Sequence, residues 1–198
     1  MKALVVYCHP NPASFTAAVL DVVIKELTAV GAEYRIVDLY SEAFQPILRS
    51  TELEFYLDSQ RNRNFVANHA GNIEWCDTLI FVYPTWWYGL PALLKGWLDR
   101  VMLPGLAFHM PDEGKRSIRP GLGHIHRFGA FTTCGASWAW TQFVGAPGKM
   151  TLLRGLRPLC GFSTKTVFAA HYRMDTSTTK SRTLHLAKVR RKMKRLLN

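Results

Sequence analysis

The chain has 198 residues and a formal net charge of +11, which suits one domain with a sizeable core. No apolar run approaches the roughly 18–20 residues that span a bilayer as a helix. The start, Met1-Lys-Ala-Leu-Val-Val-Tyr7, is too short and strand-like for a signal peptide, so a cytoplasmic protein is expected.

Residues 3–7 are an apolar run with Val5 and Val6 and predict a buried strand. A turn over 8–14 leads into a predicted helix over 15–30. Val19, Val23, Leu27 and Val30 fall on one face, with Ser14 placed to cap the start and Gly31 to stop the end. Residues 34–39 predict the second strand. Residues 41–76 are polar and irregular, interrupted by Phe44, Phe55, Tyr56 and Phe65, with a helix start signalled at Thr51. Residues 78–83 predict the third strand and 91–102 a helix with Pro91 in its first turn. Residues 103–127, carrying Gly, Pro and charge, read as a loop. The fourth strand is expected at 128–133, a helix at 150–159 with Pro158 near its end, and the fifth strand at 164–170.

A basic segment closes the chain. Beyond Asp175 there is no acidic residue, while Lys180, Arg182, Lys188, Arg190, Arg191, Lys192, Lys194 and Arg195 supply eight of the +11 and leave +3 elsewhere. Leu186, Val189, Met193 and Leu197 recur at three- and four-residue spacing, as in an amphipathic helix docked on a body. A weak contact with an anionic membrane is a second reading of the charge. Nucleic-acid binding is a third, set aside because no aromatic lies among the charges.

The strand–helix alternation predicts an α/β fold, a doubly wound five-stranded parallel sheet of order 2-1-3-4-5 with helices on both faces, the flavodoxin-like arrangement. One domain over 1–198 is expected. Such a sheet binds its ligand over the C-terminal ends of the first, third and fourth strands, and three unusual loops follow those strands. The first, His9-Pro-Asn-Pro-Ala-Ser-Phe-Thr16, opens a helix N-terminus where N–H groups and the helix dipole favour an anion. Lacking a glycine-rich motif, it points to phosphate through the hydroxyls of Ser14 and Thr16; the alternative is a proline-fixed turn that merely caps the helix. The second, Pro84-Thr-Trp-Trp-Tyr-Gly89, cannot turn three adjacent aromatics inward together, which suits a flat ligand and a flavin first. The third, Thr132-Thr-Cys-Gly-Ala-Ser137 with Trp138 and Trp140, allows close backbone approach to a ring. Cys8, Cys76, Cys134 and Cys160 match no metal or redox spacing, and His124 and His126 lack a third ligand nearby, so no metal is expected.

These blocks, with Leu90-Pro-Ala-Leu-Leu-Lys-Gly-Trp-Leu-Asp-Arg-Val101 extending the second, resemble the NAD(P)H:quinone oxidoreductases of the flavodoxin-like superfamily. The resemblance covers nearly the whole chain, and the middle block is its most specific part. It implies a homodimeric two-electron flavoenzyme with ping-pong transfer of hydride from NAD(P)H through flavin N5 to a quinone-like acceptor. By position, His9, Ser14, Phe15 and Thr16 match the flavin phosphate loop. Pro84, Thr85, Trp86 and Trp87 match the segment lining the isoalloxazine, and Thr132, Thr133, Cys134, Gly135 and Ala136 the loop at its polar edge. Thr133 and Gly135 are the flavin-edge candidates for stabilising charge; Trp86, Trp87, Tyr88, Trp138 and Trp140 are candidates for the walls of the substrate slot. The length of 41–76 resembles the FAD-using members, with FMN the alternative.

The chain departs from the pattern at three places. Trp140 and a position near Ala146 stand where the best-known mammalian members carry a Tyr and a His that relay charge, so that role does not carry over. Cys134 stands where Gly is common. Two other functions fit the same scaffold: an azo- or nitroreductase, and a flavin-binding regulatory subunit of a membrane transporter.

Overall fold

A computed structural model describes residues 1–111 and 117–198; residues 112–116, part of the predicted 103–127 loop, lie outside the described residues. The main sheet has five parallel strands in the order β2-β1-β3-β6-β7, which is the expected 2-1-3-4-5 order. The strands are β1 (Lys2–Tyr7), β2 (Glu33–Asp38), β3 (Thr78–Thr85), β6 (Arg127–Cys134) and β7 (Lys165–His171). In β1 the side chains alternate between faces, as the two-residue period of a strand requires. Ala3, Val5 and Tyr7 enter one core; Leu4 and Val6 enter the other.

One face is covered by α1 (Phe15–Ala29) and α7 (Thr179–Leu197). Val19, Val22, Val23 and Leu27 of α1 meet Val189, Met193, Leu196 and Leu197 of α7 there, so the basic helix does dock through its apolar stripe. Its start is fixed by a reciprocal capping box between Thr178 and Ser181. The other face carries α3 (Ala67–Trp75) and α4 (Ala92–Val101), with Ile73, Leu94 and Trp97 fully buried. Among the described residues, no helix is long and apolar enough to cross a membrane. All four cysteines are free and buried; burial pushes the Cys8 and Cys76 thiols up to about 12, which makes them poor nucleophiles.

Several local expectations are corrected. Within 103–127, β4 (Phe108–His109) pairs with β5 (Arg119–Pro120), and Leu103, Leu106, Leu122 and Ile125 are buried. Strands of two residues leave no readable period. The 41–76 segment forms α2 (Ser50–Glu54), a 3-10 turn and α3. It is tied to α4 by a buried pair in which Arg100 donates twice to Glu52 at 2.8 Å. Val30 is exposed, because it is the C-cap of α1 and no longer follows the helical face. Pro91 is the N-cap of α4 with extended ψ, one position earlier than expected. Residues 147–159 continue from α6 (Pro147–Met150) into π-helical and 3-10 turns, which gather around Gly155 and Pro158.

Candidate active site

The three loops converge on one cleft of about 880 Å³ at the C-terminal edge of β1, β3 and β6. It is lined by His9 from the first loop, Pro84 to Tyr88 from the second, and Thr133 to Ala136 from the third. Met174 and Asp175, just beyond β7, complete it. These last two were missed from sequence. No motif marks them; the only hint was that Asp175 is the last acidic residue before a basic run.

In the first loop the side chains expected to face an anion are turned to other partners. Ser14 caps α1, its oxygen accepting from the Ala17 N–H at 3.1 Å. Thr16 is buried, and its hydroxyl pairs with that of Thr133 at 3.0 Å. The Phe15 ring turns inward against His171 and His185. None of these three side chains lines the cleft. What remains is backbone: the N–H groups of Phe15 and Thr16 have no hydrogen-bond partner among the described residues, as the first turn of any helix dictates. The unpartnered donors at this positive dipole end are therefore amides, while the Ser14 and Thr16 hydroxyls are engaged within the fold. His9 stands at the cleft edge, its Nδ1 3.0 Å from the Asn11 N–H. The same Nδ1 lies 3.1 Å from the Asn11 carbonyl oxygen, so either neutral tautomer finds a partner in Asn11; burial holds the pKa of His9 below its ordinary value.

The second loop is a tight turn. Gly89 N–H donates to the Trp86 carbonyl at 3.0 Å, while Trp87 and Tyr88 take positive φ values of 48° and 61°. Two positive φ values at the centre are the pattern of a type I′ turn, which ordinarily uses Asn and Gly. Bulky residues there are strained. The result is that the aromatics are displayed: Trp87 is 95% exposed at the cleft mouth, and Trp86 lies with its ring centroid 6.3 Å from that of His9. Thr85 and Thr132 bond each other at 2.8 Å between β3 and β6. Thr132 is thereby withdrawn into the wall behind the cleft, where it borders a cavity of about 20 Å³, room for one water.

In the third loop, Gly135 is exposed and Cys134 is buried. The Cys134 sulfur sits 3.7 Å from the Thr141 hydroxyl. Gly135 and Ala136 have N–H groups without partners among the described residues. A Cβ on Gly135 would come within 2.6 Å of an Asp175 carboxylate oxygen, so the missing side chain leaves room for that carboxylate. Trp138 and Trp140, expected in the slot, do not line this cleft. Ser137 caps α5 (Trp138–Phe143) at once by accepting from the Trp140 N–H at 3.2 Å. That early helix start turns both indoles to the outer surface, where they are 62% and 51% exposed. Away from the cleft, His124 sits with Nε2 3.0 Å from the Ile73 carbonyl.

This donor set fits a flavin: a helix N-terminus with free amides for phosphate, unpartnered amides at Gly135 and Ala136 for a polar ring edge, and displayed indoles for a flat face. The volume lies in the range of cofactor sites. A doubly wound parallel sheet with an open cleft over its C-terminal edge defines a cofactor-binding α/β protein. The chain belongs to the flavodoxin-like fold family, whose model matches residues 1–197. Ribosyldihydronicotinamide dehydrogenase [quinone] of Pongo abelii is 31% identical over 183 residues, covering 81% of this chain and 77% of that one. An NAD(P)H:quinone oxidoreductase from Methanothermobacter marburgensis superposes with a TM-score of 0.84 at 23% identity, covering 100% of this chain and 99% of the other. An FMN-dependent NADH-azoreductase from Bacillus anthracis, in complex with FMN, gives 0.79 at 16% identity with full coverage of both chains. At these identities, the two superpositions speak to the fold.

Proposed function

We propose that this protein is a flavin-dependent NAD(P)H:quinone oxidoreductase. The observation that carries the reading is the convergence of His9, the displayed Trp86–Trp87 turn and the bare Gly135–Ala136 amides on one cleft, with unpartnered amides in the first turn of α1 at the end of the His9 loop. A relative named ribosyldihydronicotinamide dehydrogenase [quinone] is 31% identical over 183 residues. A bound flavin supplies two-electron hydride chemistry that needs no protein nucleophile. The chain's own residues bind and orient. The Phe15 and Thr16 amides hold phosphate, Pro84 to Trp87 form one wall, and the amides of Gly135 and Ala136 face the ring edge. His9, its pKa lowered by burial, stands at the rim. The open mouth admits NAD(P)H and a flat acceptor in turn.

Within that reading the cofactor is FAD, on the resemblance of residues 41–76 to FAD-using members. Mass spectrometry of the released flavin separates FAD from FMN. The protein acts as a homodimer: Trp87 at the cleft and Trp138, Trp140 and Phe143 of α5 are 95%, 62%, 51% and 79% exposed, apolar surface that a second copy would cover. Light scattering on the eluted protein tests this. Free buried thiols accord with the reducing cytoplasm. The basic face of α7 gives at most a weak contact with anionic membrane, measurable as salt-sensitive sedimentation with vesicles.

The test of the central claim is the absorption spectrum of the purified protein. Flavin bands that bleach anaerobically with NADH or NADPH and return with a quinone are expected. A protein still colourless after incubation with excess FAD and FMN overturns the proposal. Rates with quinone, azo and nitro acceptors rank the reductase activities.

A further inference from the structure

Tyr88 stands in the wall of the cleft with a hydrogen-bond polarity fixed by its neighbour. The Trp140 indole Nε1 lies 2.8 Å from the Tyr88 hydroxyl. An indole N–H can only donate, so the phenolic oxygen accepts. The phenolic hydrogen is then left over, and no acceptor among the described residues takes it.

The position of this hydroxyl is held from both ends. At the backbone, Tyr88 sits at φ 61° in the tight turn, and its carbonyl accepts from the Gly148 N–H at 3.2 Å. Gly148 packs so closely that a Cβ there would lie 3.0 Å from the Gly89 carbonyl carbon. At the tip, Trp140 is itself braced by stacking on Phe143, with centroids 5.2 Å apart. A strained turn that would relax if free is thus clamped by the segment that follows β6.

We propose that Tyr88 donates a hydrogen bond to the oxygen of a carbonyl-bearing planar acceptor, and that Trp140 is the positioning residue that aims it. This rests on the quinone-reductase reading above. In that reaction, the acceptor gains a hydride, which is two electrons with one proton, and a second proton from water. Two carbonyls become two hydroxyls. As each C=O π bond breaks, an electron pair moves onto oxygen, and the Tyr88 O–H meets one such oxygen. Tyr88 keeps its proton and ends unchanged. Accepting from the indole polarises the phenolic O–H and strengthens its donation. The preference is then for acceptors that present an oxygen at this point over those that do not.

The experiment compares Tyr88→Phe, Trp140→Phe and the double variant, each purified with flavin, using a benzoquinone and ferricyanide as alternative acceptors. Ferricyanide takes electrons without presenting a carbonyl oxygen. Tyr88→Phe is expected to lower kcat/KM for the quinone roughly ten- to a hundred-fold, the worth of a hydrogen bond to a charging oxygen, with a much smaller change for ferricyanide. Trp140→Phe is expected to give part of that loss, again selectively. The double variant is expected to be no worse than Tyr88→Phe alone. Equal losses with both acceptors, or losses that add, overturn the proposal by reducing both residues to packing. Should Tyr88→Phe fail to hold flavin, the acceptor ratio of Trp140→Phe decides alone. A wild-type flavoprotein that reduces no quinone overturns the reading above and this one with it; an active wild type with an unchanged Tyr88→Phe overturns only this one.

Discussion

The hydroxyls of Thr16 and Thr133 lie 3.0 Å apart, joining the first turn of α1 to the end of β6 across 117 positions of sequence. Both residues are buried, so each hydroxyl depends on the other. Removing one leaves a buried polar atom unpaired, which costs more than removing both. Thr16→Val is expected to lower stability by about 1–3 kcal/mol. Thr16→Val with Thr133→Val should lose less than the sum of the singles. Urea denaturation of the three variants checks this, and additive losses would contradict the pairing.

The Arg100–Glu52 pair is bidentate, and both side chains are more than nine-tenths buried. Arg100 also donates to the Gln45 carbonyl. Removing one partner strands a buried charge. Glu52→Ala is expected to destabilise by about 3–5 kcal/mol, read as a lower denaturant midpoint. Since the pair pins residues 45–54 against α4, protease cleavage within that segment should also quicken.

His185 is held down to about 4 by burial, then by His171 and Lys188. Burial lowers the pKa of His171 as well, with Arg182 adding to it. The rings meet edge to face at 5.2 Å beside Phe15, and His171 Nδ1 and His185 Nε2 have no hydrogen-bond partner among the described residues. Between the unfolded pKa near 6.5 and the folded value, the unfolded chain binds the extra proton. Stability therefore rises with pH through that window and is lost as pH falls from about 6.5 toward 4, by up to roughly 3 kcal/mol for His185. Denaturation midpoints measured from pH 7 to 4 should drop less steeply in His185→Gln. An unchanged slope would speak against the assignment.

Two glycines should respond differently to alanine. A Cβ on Gly96 would lie 2.3 Å from the Pro46 carbonyl oxygen and 2.6 Å from its Cα, and backbone cannot move aside cheaply. Gly96→Ala is expected to cost about 1–3 kcal/mol or more. At Gly135 the obstacle is the end of the Asp175 side chain at 2.6 Å, which can swing away. Gly135→Ala should leave the melting temperature nearly unchanged while weakening flavin retention, because the displaced carboxylate moves within the cleft. Thermal melts paired with flavin titration separate the two effects.

Much of this architecture is written in local pattern. The apolar runs around Val5, Ile80 and Phe131 mark central strands because both faces of a parallel sheet are covered. The three loops were legible because each carries residue types that a simple turn does not need. The small β4–β5 pair was not legible: Phe108 and Pro120 pair across a long connection, with no period to betray them.

The sequence by itself determined the strand order, the docking of the basic helix through Val189 and Met193, and the aromatic turn as the place to look. It could not say how the side chains at that place are spent. Tertiary structure decided that the side chains of Ser14, Phe15 and Thr16 serve the fold while the Phe15 and Thr16 amides stay without partners among the described residues, and that Met174 and Asp175 reach the cleft. It also decided that Trp140 leaves the slot to grip Tyr88. The reason is physical. Strands and helices follow from residue spacing within a few positions. A hydroxyl or indole chooses its partner only after distant segments have packed beside it.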